Sequence, residues 1–204
     1  MFTSIDLFSG PGGLCTGFKA AGITPLIAVE WSYWTAQTYA ATHDADILPL
    51  SEYLDDPHAF SSLFLPSAKT LLILGDINLV TDDLVHKILQ ERFGRTSVDV
   101  VTGGAPCESF SMAGQRKEDD YRNQLFMNIP RIAKSVNAKM FMFENVKGLF
   151  SKKMDGCAGK MYDFVCDTFE EDSGNGVCYR LASRDKKTVL LCASDYGVPQ
   201  NRER

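Results

Sequence analysis

Short apolar runs alternate with amphipathic segments along most of the chain. The apolar runs are rich in valine, isoleucine and leucine and end at glycine or an acidic residue, which is typical of buried strands followed by tight turns. The predicted strands cover residues 3–8, 25–30, 69–74, 98–102 and 139–143. The segments between them predict helices over residues 14–21, 31–42, 82–93, 123–135 and 161–170. Residues 178–183 and 188–193 resemble a further pair of strands.

Strands that alternate with helices predict an α/β fold with a mostly parallel sheet covered by helices on both faces. Ligands of such sheets bind beyond the carboxyl ends of the strands. Several candidate functional residues directly follow predicted strands, and we expect one edge of the sheet to gather them. These are the loop at residues 8–13, Glu30, Asp76, Cys107 and Glu144.

Composition and charge fit one soluble domain. The chain has 204 residues, of which 45% are hydrophobic and 23% charged, and we predict a single catalytic, cofactor-binding domain over residues 1–204. No apolar stretch approaches the about 20 residues of a membrane helix, so a cytoplasmic protein is expected. The six cysteines lack zinc-site spacing, and no metal is expected. Residues 42–67 are predicted to be a long connection with one short helix.

The net charge of −5 argues against a chain that binds nucleic acid over its whole surface, although a local basic face stays open.

A glycine-rich loop, Asp6-Leu7-Phe8-Ser9-Gly10-Pro11-Gly12-Gly13, follows the first predicted strand. Such a turn lets a ligand approach the backbone closely, and the helix that follows offers free N–H groups to an anion. Glu30 comes at the tip of the second strand, where an acidic residue usually meets ribose hydroxyls. The pair predicts an adenosine-containing ligand, and NAD fits this pattern as well as S-adenosylmethionine does.

Cys107 lies in the run Gly103-Gly104-Ala105-Pro106-Cys107-Glu108-Ser109-Phe110-Ser111, where a strand gives way to a loop. A thiol in that place suits nucleophilic chemistry, but a free cysteine is often an inert core residue, and the local sequence leaves both interpretations open. Two more motifs follow it, Phe143-Glu144-Asn145-Val146 and Gln200-Asn201-Arg202-Glu203-Arg204.

These four segments, in this order, resemble the DNA (cytosine-5)-methyltransferase family from Asp6 to Arg204. The resemblance implies a Rossmann-like methyltransferase fold, S-adenosylmethionine as cofactor and methyl transfer to carbon 5 of cytosine in DNA. The glycine-rich loop resembles the family's first motif, Glu30-Trp31 its second and Gly75-Asp76-Ile77 its third.

The resemblance also assigns cofactor-binding roles. Phe8 and Trp31 would flank the adenine, Glu30 would hold the ribose, and Asp76 would accept a hydrogen bond from the adenine amino group with Ile77 beside it. Backbone amides of the glycine-rich loop would face the methionine part. The other implied cofactor contacts are Ser9, Gly10, Gly12, Gly13, Gly104, Pro106 and Leu125.

For catalysis, the resemblance makes Cys107 the nucleophile toward carbon 6 of cytosine and Glu144 the acid at nitrogen 3. Arg202 and Arg204 would hold Glu144 and the ring, with Arg204 at the cytosine carbonyl oxygen. A cytosine inside a duplex cannot reach such a thiol, so the base must be flipped out of double-stranded DNA. The implied substrate contacts are Ser111, Gln115 and Asn145, and the loop at 111–122 is predicted to be a mobile closing element.

Two other functions stay open. One family branch methylates tRNA, although Ser111 stands where that branch tends to carry threonine, which favours DNA. A noncatalytic adenosine-binding module with a protein partner is the third possibility. Family members continue beyond the Arg-x-Arg motif into a target-recognition region. We therefore expect a truncated chain, a gene remnant or half of a split enzyme, with little or no turnover alone and a role such as restriction-modification when completed by a second polypeptide.

Overall fold

The computed structural model of the protein describes residues 1–105, 125–154, 157–171 and 178–204. The chain divides into two compact units. The first comprises Met1–Gly104 and Asn128–Phe143, and the second comprises Ala105–Met127 and Glu144–Arg204.

The first unit contains a six-stranded parallel sheet. Its strands are β1 (Phe2–Leu7), β2 (Ile23–Glu30), β3 (Asp46–Pro49), β4 (Leu71–Leu74), β5 (Val100–Gly103) and β6 (Met140–Phe143). Their order across the sheet is β3-β4-β2-β1-β5-β6, and every pairing is parallel. The sheet is flanked by helices, namely α1 (Gly13–Ala20), α2 (Tyr33–His43), α3 (Leu50–Asp55), α4 (Asp82–Phe93) and α5 (Asn128–Ser135). The predicted α/β fold with a mostly parallel sheet is confirmed.

The central strands supply the core because parallel strands are covered on both faces. Ile5, Ile27, Leu72 and Val101 are fully buried, one from each of four neighbouring strands. The register pairs Leu7 with Val29 and with Gly103, and Glu30 with Leu74, so β1, β2, β4 and β5 end side by side. The loops that leave these strands therefore start from one edge of the sheet.

Helix α4 begins and ends where its sequence predicts. The hydroxyl of Thr81 accepts a hydrogen bond from the amide of Leu84 at 3.1 Å, which caps the first turn. Gly94 ends the helix in the left-handed conformation, with a φ of 61°.

The prediction for residues 42–67 is wrong in part. This segment contains the strand β3 as well as α3 and a 3-10 helix over Pro57–Phe64. The strand has only four residues and lies at the sheet edge, where Pro49 costs no ladder hydrogen bond on the open side. A short edge strand between acidic residues lacks the apolar pattern that predicts a strand.

The expected strand pair at 178–183 and 188–193 is also wrong. Residues 178–183 are irregular, and Cys192 instead forms an isolated antiparallel bridge with Glu203. The second unit further contains α6 (Lys160–Glu170) and the short strands β7 (Lys153–Met154) and β8 (Cys157–Ala158). Phe126 packs edge-on against Phe164 and Phe169 of α6.

Among the described residues, no helix is long and apolar enough to cross a membrane.

Arg92 ties the segment containing β3 to α4. Its side chain is almost fully buried and donates hydrogen bonds to the carbonyl oxygens of Leu63 and Lys69 and to the carboxylate of Asp46. We expect Arg92→Met to lower the free energy of unfolding by about 2–4 kcal/mol, because the carbonyl oxygens of Leu63 and Lys69 and the carboxylate of Asp46 lose a buried donor. Urea denaturation followed by circular dichroism measures this change.

The control is Arg95→Met, since Arg95 is exposed just beyond the same helix. This variant should change the free energy of unfolding by less than about 0.5 kcal/mol. Equal effects of the two substitutions would show that the buried guanidinium bonds contribute nothing.

Candidate active site

The glycine-rich loop forms a tight turn between β1 and α1. The amide of Ser9 donates to the carbonyl of Val29 at 3.0 Å, and the amide of Gly12 donates to the carbonyl of Ser9 at 3.1 Å. Gly10 and Gly12 adopt positive φ angles of 56° and 94°, which glycine allows without strain. Phe8 also has a positive φ, of 55°, and such a backbone is rare for a bulky residue and is found mostly at functional sites.

Glu30 accepts hydrogen bonds through both oxygens of its carboxylate. Oε2 accepts from the amide of Gly10 at 2.9 Å, and Oε1 accepts from the amide of Ser32 at 2.9 Å. These bonds orient the carboxylate between the glycine-rich loop and the start of α2. Each oxygen keeps a second lone pair, so the carboxylate can still accept two hydroxyl groups, as a ribose offers.

Two buried polar atoms of this region have no hydrogen-bond partner among the described residues. They are Oγ of Ser9 and Oδ2 of Asp6. Buried polar atoms are nearly always paired in native proteins, so each unpaired atom calls for an explanation. A ligand held by the loop would give these atoms a partner.

Asp6 is buried at the end of β1, and its Oδ1 accepts a hydrogen bond from the hydroxyl of Thr102 at 2.9 Å. Burial raises the pKa of Asp6 from 3.8 to about 6. The bond from Thr102 opposes this pKa shift, and the negative charge of Glu30 adds to it. The carboxyl group therefore changes its charge close to neutral pH.

The third predicted segment lies at the same edge. The amide of Gly75 donates to the carbonyl of Glu30 at 2.9 Å, and Oδ1 of Asp76 accepts from the amide of Asn78 at 2.9 Å. Ile77 is buried, while the indole of Trp31 is 70% exposed and so is open to a stacking partner. The residues that the first unit gathers at this edge are Phe8, Ser9, Gly10, Gly12, Gly13, Glu30, Trp31, Asp76, Ile77 and Gly104.

The second unit brings together Glu144 and Arg204, which are far apart in the sequence. Oε1 of Glu144 lies 2.7 Å from Nε of Arg204, and both side chains are half-buried. Burial raises the pKa of Glu144 above its ordinary value, while the positive charge of Arg202 opposes the shift. A raised pKa favours the protonated carboxyl that a general acid needs.

The arginine motif is held in place by backbone pairing. Arg204 and Leu191 exchange two hydrogen bonds at 2.7 and 2.8 Å, and the amide of Ala193 donates to the carbonyl of Arg202 at 2.8 Å. Between them, Glu203 pairs with Lys147 at 2.6 Å. The motif is therefore an ordered segment and not a frayed charged terminus.

Asn145 directly follows Glu144. Its Oδ1 accepts from the amide of Val146 at 2.8 Å, and its Nδ2 is a third buried atom without a partner in the described part of the chain. Leu125 also belongs to the second unit and is half-buried. Four predicted site residues lie outside the described residues, namely Pro106, Cys107, Ser111 and Gln115, as does the predicted closing loop at 111–122.

Sequence reasoning missed a buried polar group behind the glycine-rich loop. Cys15 of α1 lies 3.6 Å from Nδ1 of His43 and accepts a hydrogen bond from the hydroxyl of Tyr39 at 3.2 Å. The available signal was the spacing of Tyr39 and His43, which places both side chains on one face of α2. Asp6 was missed as well, although an acidic residue in an apolar strand indicates a buried carboxyl.

Comparisons with known proteins identify the family of the chain. A sequence model of the C-5 cytosine-specific DNA methylase family matches residues 2–53 and 67–204. The chain belongs to that family. Within it, the unmatched residues 54–66 fall in the segment between β3 and β4.

Two relatives illustrate the similarity. The type II methyltransferase M.DdeI of Desulfomicrobium norvegicum is 33% identical over 98% of this chain and 38% of its own length. The type II methyltransferase M.AquIA of Picosynechococcus is 31% identical over 98% of this chain and 68% of its own length. The chain thus spans about two fifths of M.DdeI and about two thirds of M.AquIA.

Solved structures share the fold. A prophage-encoded E. coli protein assigned as a DNA modification methyltransferase matches with a TM-score of 0.67 and 25% identity over 100% of this chain and 44% of its own length. The Dnmt2 methyltransferase of S. pombe matches in fold, with a TM-score of 0.55 and 17% identity over 100% of this chain and 49% of its own length.

The buried carboxyl of Asp6 predicts a specific pH dependence of stability. Because the folded state holds this proton up to about pH 6 and the unfolded chain releases it near 3.8, the free energy of unfolding falls as pH rises through this window. The expected contribution is at most about 3 kcal/mol. Asp6→Asn should remove it, so the difference between variant and wild type in urea denaturation should grow from pH 4 to pH 6.

Thr102→Val provides a matched second variant. It removes the hydrogen bond that lowers the pKa of Asp6, so the fall in stability should extend to higher pH. If the stability difference between Asp6→Asn and wild type is the same at every pH, the carboxyl does not titrate in this window.

Proposed function

We propose that the protein transfers a methyl group from S-adenosylmethionine to carbon 5 of cytosine in DNA. The observation that carries the proposal is the contact of Glu144 with Arg204 at 2.7 Å. It joins two motifs that lie about 60 residues apart in the sequence. An acid held by an arginine suits a reaction in which negative charge develops on a ring nitrogen.

The first unit supports the choice of cofactor. Glu30 has free lone pairs for the two ribose hydroxyls, and Asp76 follows β4 at the same edge, where it can accept from an adenine amino group. The exposed ring of Trp31 provides a stacking surface, and the unpaired hydroxyl of Ser9 provides a polar contact. These residues would hold S-adenosylmethionine, which supplies a methyl group on a sulfonium and leaves as S-adenosylhomocysteine.

Cys107 has the central role in the chemistry. Its thiolate adds to carbon 6 of cytosine and forms a carbon–sulfur bond, while the electrons of the double bond between carbons 5 and 6 move onto carbon 5. Glu144 donates its proton to nitrogen 3, which prevents negative charge from building up in the ring. Carbon 5 would then take the methyl group, and the electron pair of the broken methyl–sulfur bond would stay on the sulfur. The remaining proton of carbon 5 leaves to water, the double bond reforms, and the electrons of the carbon–sulfur bond return to Cys107. Nitrogen 3 gives its proton back to Glu144, which restores the acid.

Arg204 and Arg202 position these groups. Arg204 lies 2.7 Å from Oε1 of Glu144, so Oε2 would be the oxygen that carries the proton to the base. The guanidinium has five donors, so Arg204 can also bind the carbonyl oxygen of the cytosine. The named relatives are type II methyltransferases and the family description specifies DNA, which supports DNA over RNA as substrate. The cytosine of a duplex would have to be flipped out to reach Cys107.

Glu144→Gln tests the acid. We expect it to lower kcat by about 10²- to 10⁴-fold, because the amide cannot donate a proton to nitrogen 3. Transfer of tritiated methyl groups to duplex DNA by the complete gene product measures kcat, and calorimetric binding of S-adenosylhomocysteine should remain unchanged. Glu203→Gln is the matched control, since Glu203 pairs with Lys147. Similar kcat values for both variants would remove Glu144 from the mechanism.

Duplex DNA with 5-fluorocytosine tests the nucleophile and the substrate together. Fluorine at carbon 5 cannot leave as a proton does, so the covalent adduct should persist and shift the protein band in denaturing gels. We expect the adduct with wild type and S-adenosylmethionine but not with Cys107→Ser. An adduct on tRNA alone would make the protein an RNA methyltransferase. Binding of S-adenosylhomocysteine without any adduct would indicate a noncatalytic module.

A further inference from the structure

A chain of hydrogen bonds runs through the core behind the glycine-rich loop. The hydroxyl of Tyr39 donates to Sγ of Cys15 at 3.2 Å, Sγ lies 3.6 Å from Nδ1 of His43, and Nε2 of His43 lies 3.0 Å from the carbonyl oxygen of Gly12. All three side chains are buried. They belong to α1 and α2, and Cys15 and Tyr39 pack in one apolar cluster with Ala28 and Leu72 of the sheet.

The last acceptor of these hydrogen bonds, the carbonyl oxygen of Gly12, decides which group donates in each of them. A carbonyl oxygen can only accept, so Nε2 of His43 carries the hydrogen and Nδ1 of the neutral ring accepts. The thiol of Cys15 therefore donates to Nδ1, and its sulfur accepts from Tyr39. Burial lowers the pKa of His43 and raises the pKa of Cys15 and of Tyr39, which keeps all three groups neutral as this order requires.

The last hydrogen bond, from His43 to the carbonyl oxygen of Gly12, fixes the peptide plane between Gly12 and Gly13. Gly12 has a φ of 94°, and a Cβ added there would collide with the imidazole of His43. The carbonyl oxygen of Gly12 also accepts from the amide and the hydroxyl of Thr16, both at 2.9 Å. In a planar trans peptide the carbonyl and the following N–H point in opposite directions. Holding the carbonyl of Gly12 inward therefore aims the N–H of Gly13 outward.

That N–H is one of the first amides of α1, which have no acceptor inside the helix. Such amides bind anions, and the proposed cofactor carries a carboxylate on its methionine part. We propose that His43, Cys15 and Tyr39 are positioning residues that fix the Gly12–Gly13 peptide for cofactor binding. The inference rests on the proposed function, since it assumes that the glycine-rich loop binds S-adenosylmethionine.

His43→Phe keeps a ring of similar size and removes both nitrogens, whereas His43→Gln keeps a donor near the position of Nε2. We expect His43→Phe to weaken the binding of S-adenosylhomocysteine to the complete gene product by about 3- to 10-fold, as measured by calorimetry. His43→Gln should restore the Kd to within about twofold of wild type. Tyr39→Phe removes one hydroxyl only and should weaken binding by about 2- to 3-fold, which covers the case that His43→Phe does not fold.

Thr70→Val separates positioning from stability. Thr70 is buried in the same unit and donates to the carbonyl of Pro25 at 2.8 Å, so its loss removes one buried hydrogen bond from β2 without touching the glycine-rich loop. This variant should lower the thermal midpoint and leave the Kd unchanged. An equal rise of the Kd in Thr70→Val and Tyr39→Phe, or failure of His43→Gln to restore binding in a folded protein, would overturn the proposal.

Hydrogen exchange of the free protein gives a readout that needs no ligand. The amides of Gly12 and Thr16, which donate to the carbonyls of Ser9 and Gly12, should exchange faster in Tyr39→Phe than in Thr70→Val, because the peptide plane loses its support. If wild type shows this protection but binds no S-adenosylhomocysteine, the proposed function fails while the positioning of the loop stands. If Tyr39→Phe leaves both exchange and binding unchanged, the positioning proposal fails and the proposed function is untouched.

Discussion

The carboxylate of Glu30 joins the parts of the first unit that a cofactor would contact. It accepts one hydrogen bond from an amide of the glycine-rich loop and one from an amide at the start of α2, each at 2.9 Å. Both bonds are possible only because β1 and β2 run in parallel register, which brings Leu7 beside Val29 and Glu30 one residue further along. A single charged side chain at the end of a buried strand thus sets the loop geometry on both sides of it. Hydrogen bonds that backbone amides donate to a carboxylate are charge-assisted, and they are shorter and stronger than hydrogen bonds between neutral groups.

The pair of Glu144 and Arg204 depends on a different kind of constraint. Glu144 is the residue directly after β6 in the sequence. Arg204 is held by the two backbone hydrogen bonds that it exchanges with Leu191. The guanidinium therefore meets Glu144 from a segment that is already anchored by its backbone. When a charged group is already held in place, little side-chain entropy is lost as the ion pair forms. Surface ion pairs between flexible residues lose more.

Local sequence predicts the parts of this fold that are locally determined. Helix α4 is bounded by its own caps, Thr81 and Gly94, and its predicted limits agree with the structure. The edge strand β3 pairs with β4, which comes more than twenty residues later, and its Asp46 binds Arg92 of α4, so no local pattern predicts this strand. The bonds among Tyr39, Cys15 and His43 likewise depend on how α1 and α2 pack, and the sequence shows only a cysteine, a tyrosine and a histidine that fit an ordinary core. The pairing of Glu144 with Arg204 could be expected from family motifs but not from composition or periodicity.

Residues with an unusual backbone conformation or an unusual buried polar group are concentrated in the glycine-rich loop and at the end of β1. Phe8 has a positive φ, Asp6 is a buried carboxyl with a raised pKa, and the hydroxyl of Ser9 is buried without a partner among the described residues. Each feature costs stability by itself, and a sequence selected only for folding would have replaced it. Their concentration within four consecutive residues, next to the carboxylate of Glu30, indicates that the loop is shaped for a ligand. The fully buried apolar strands that surround it, such as β1 and β2, supply the stability that lets this strain persist.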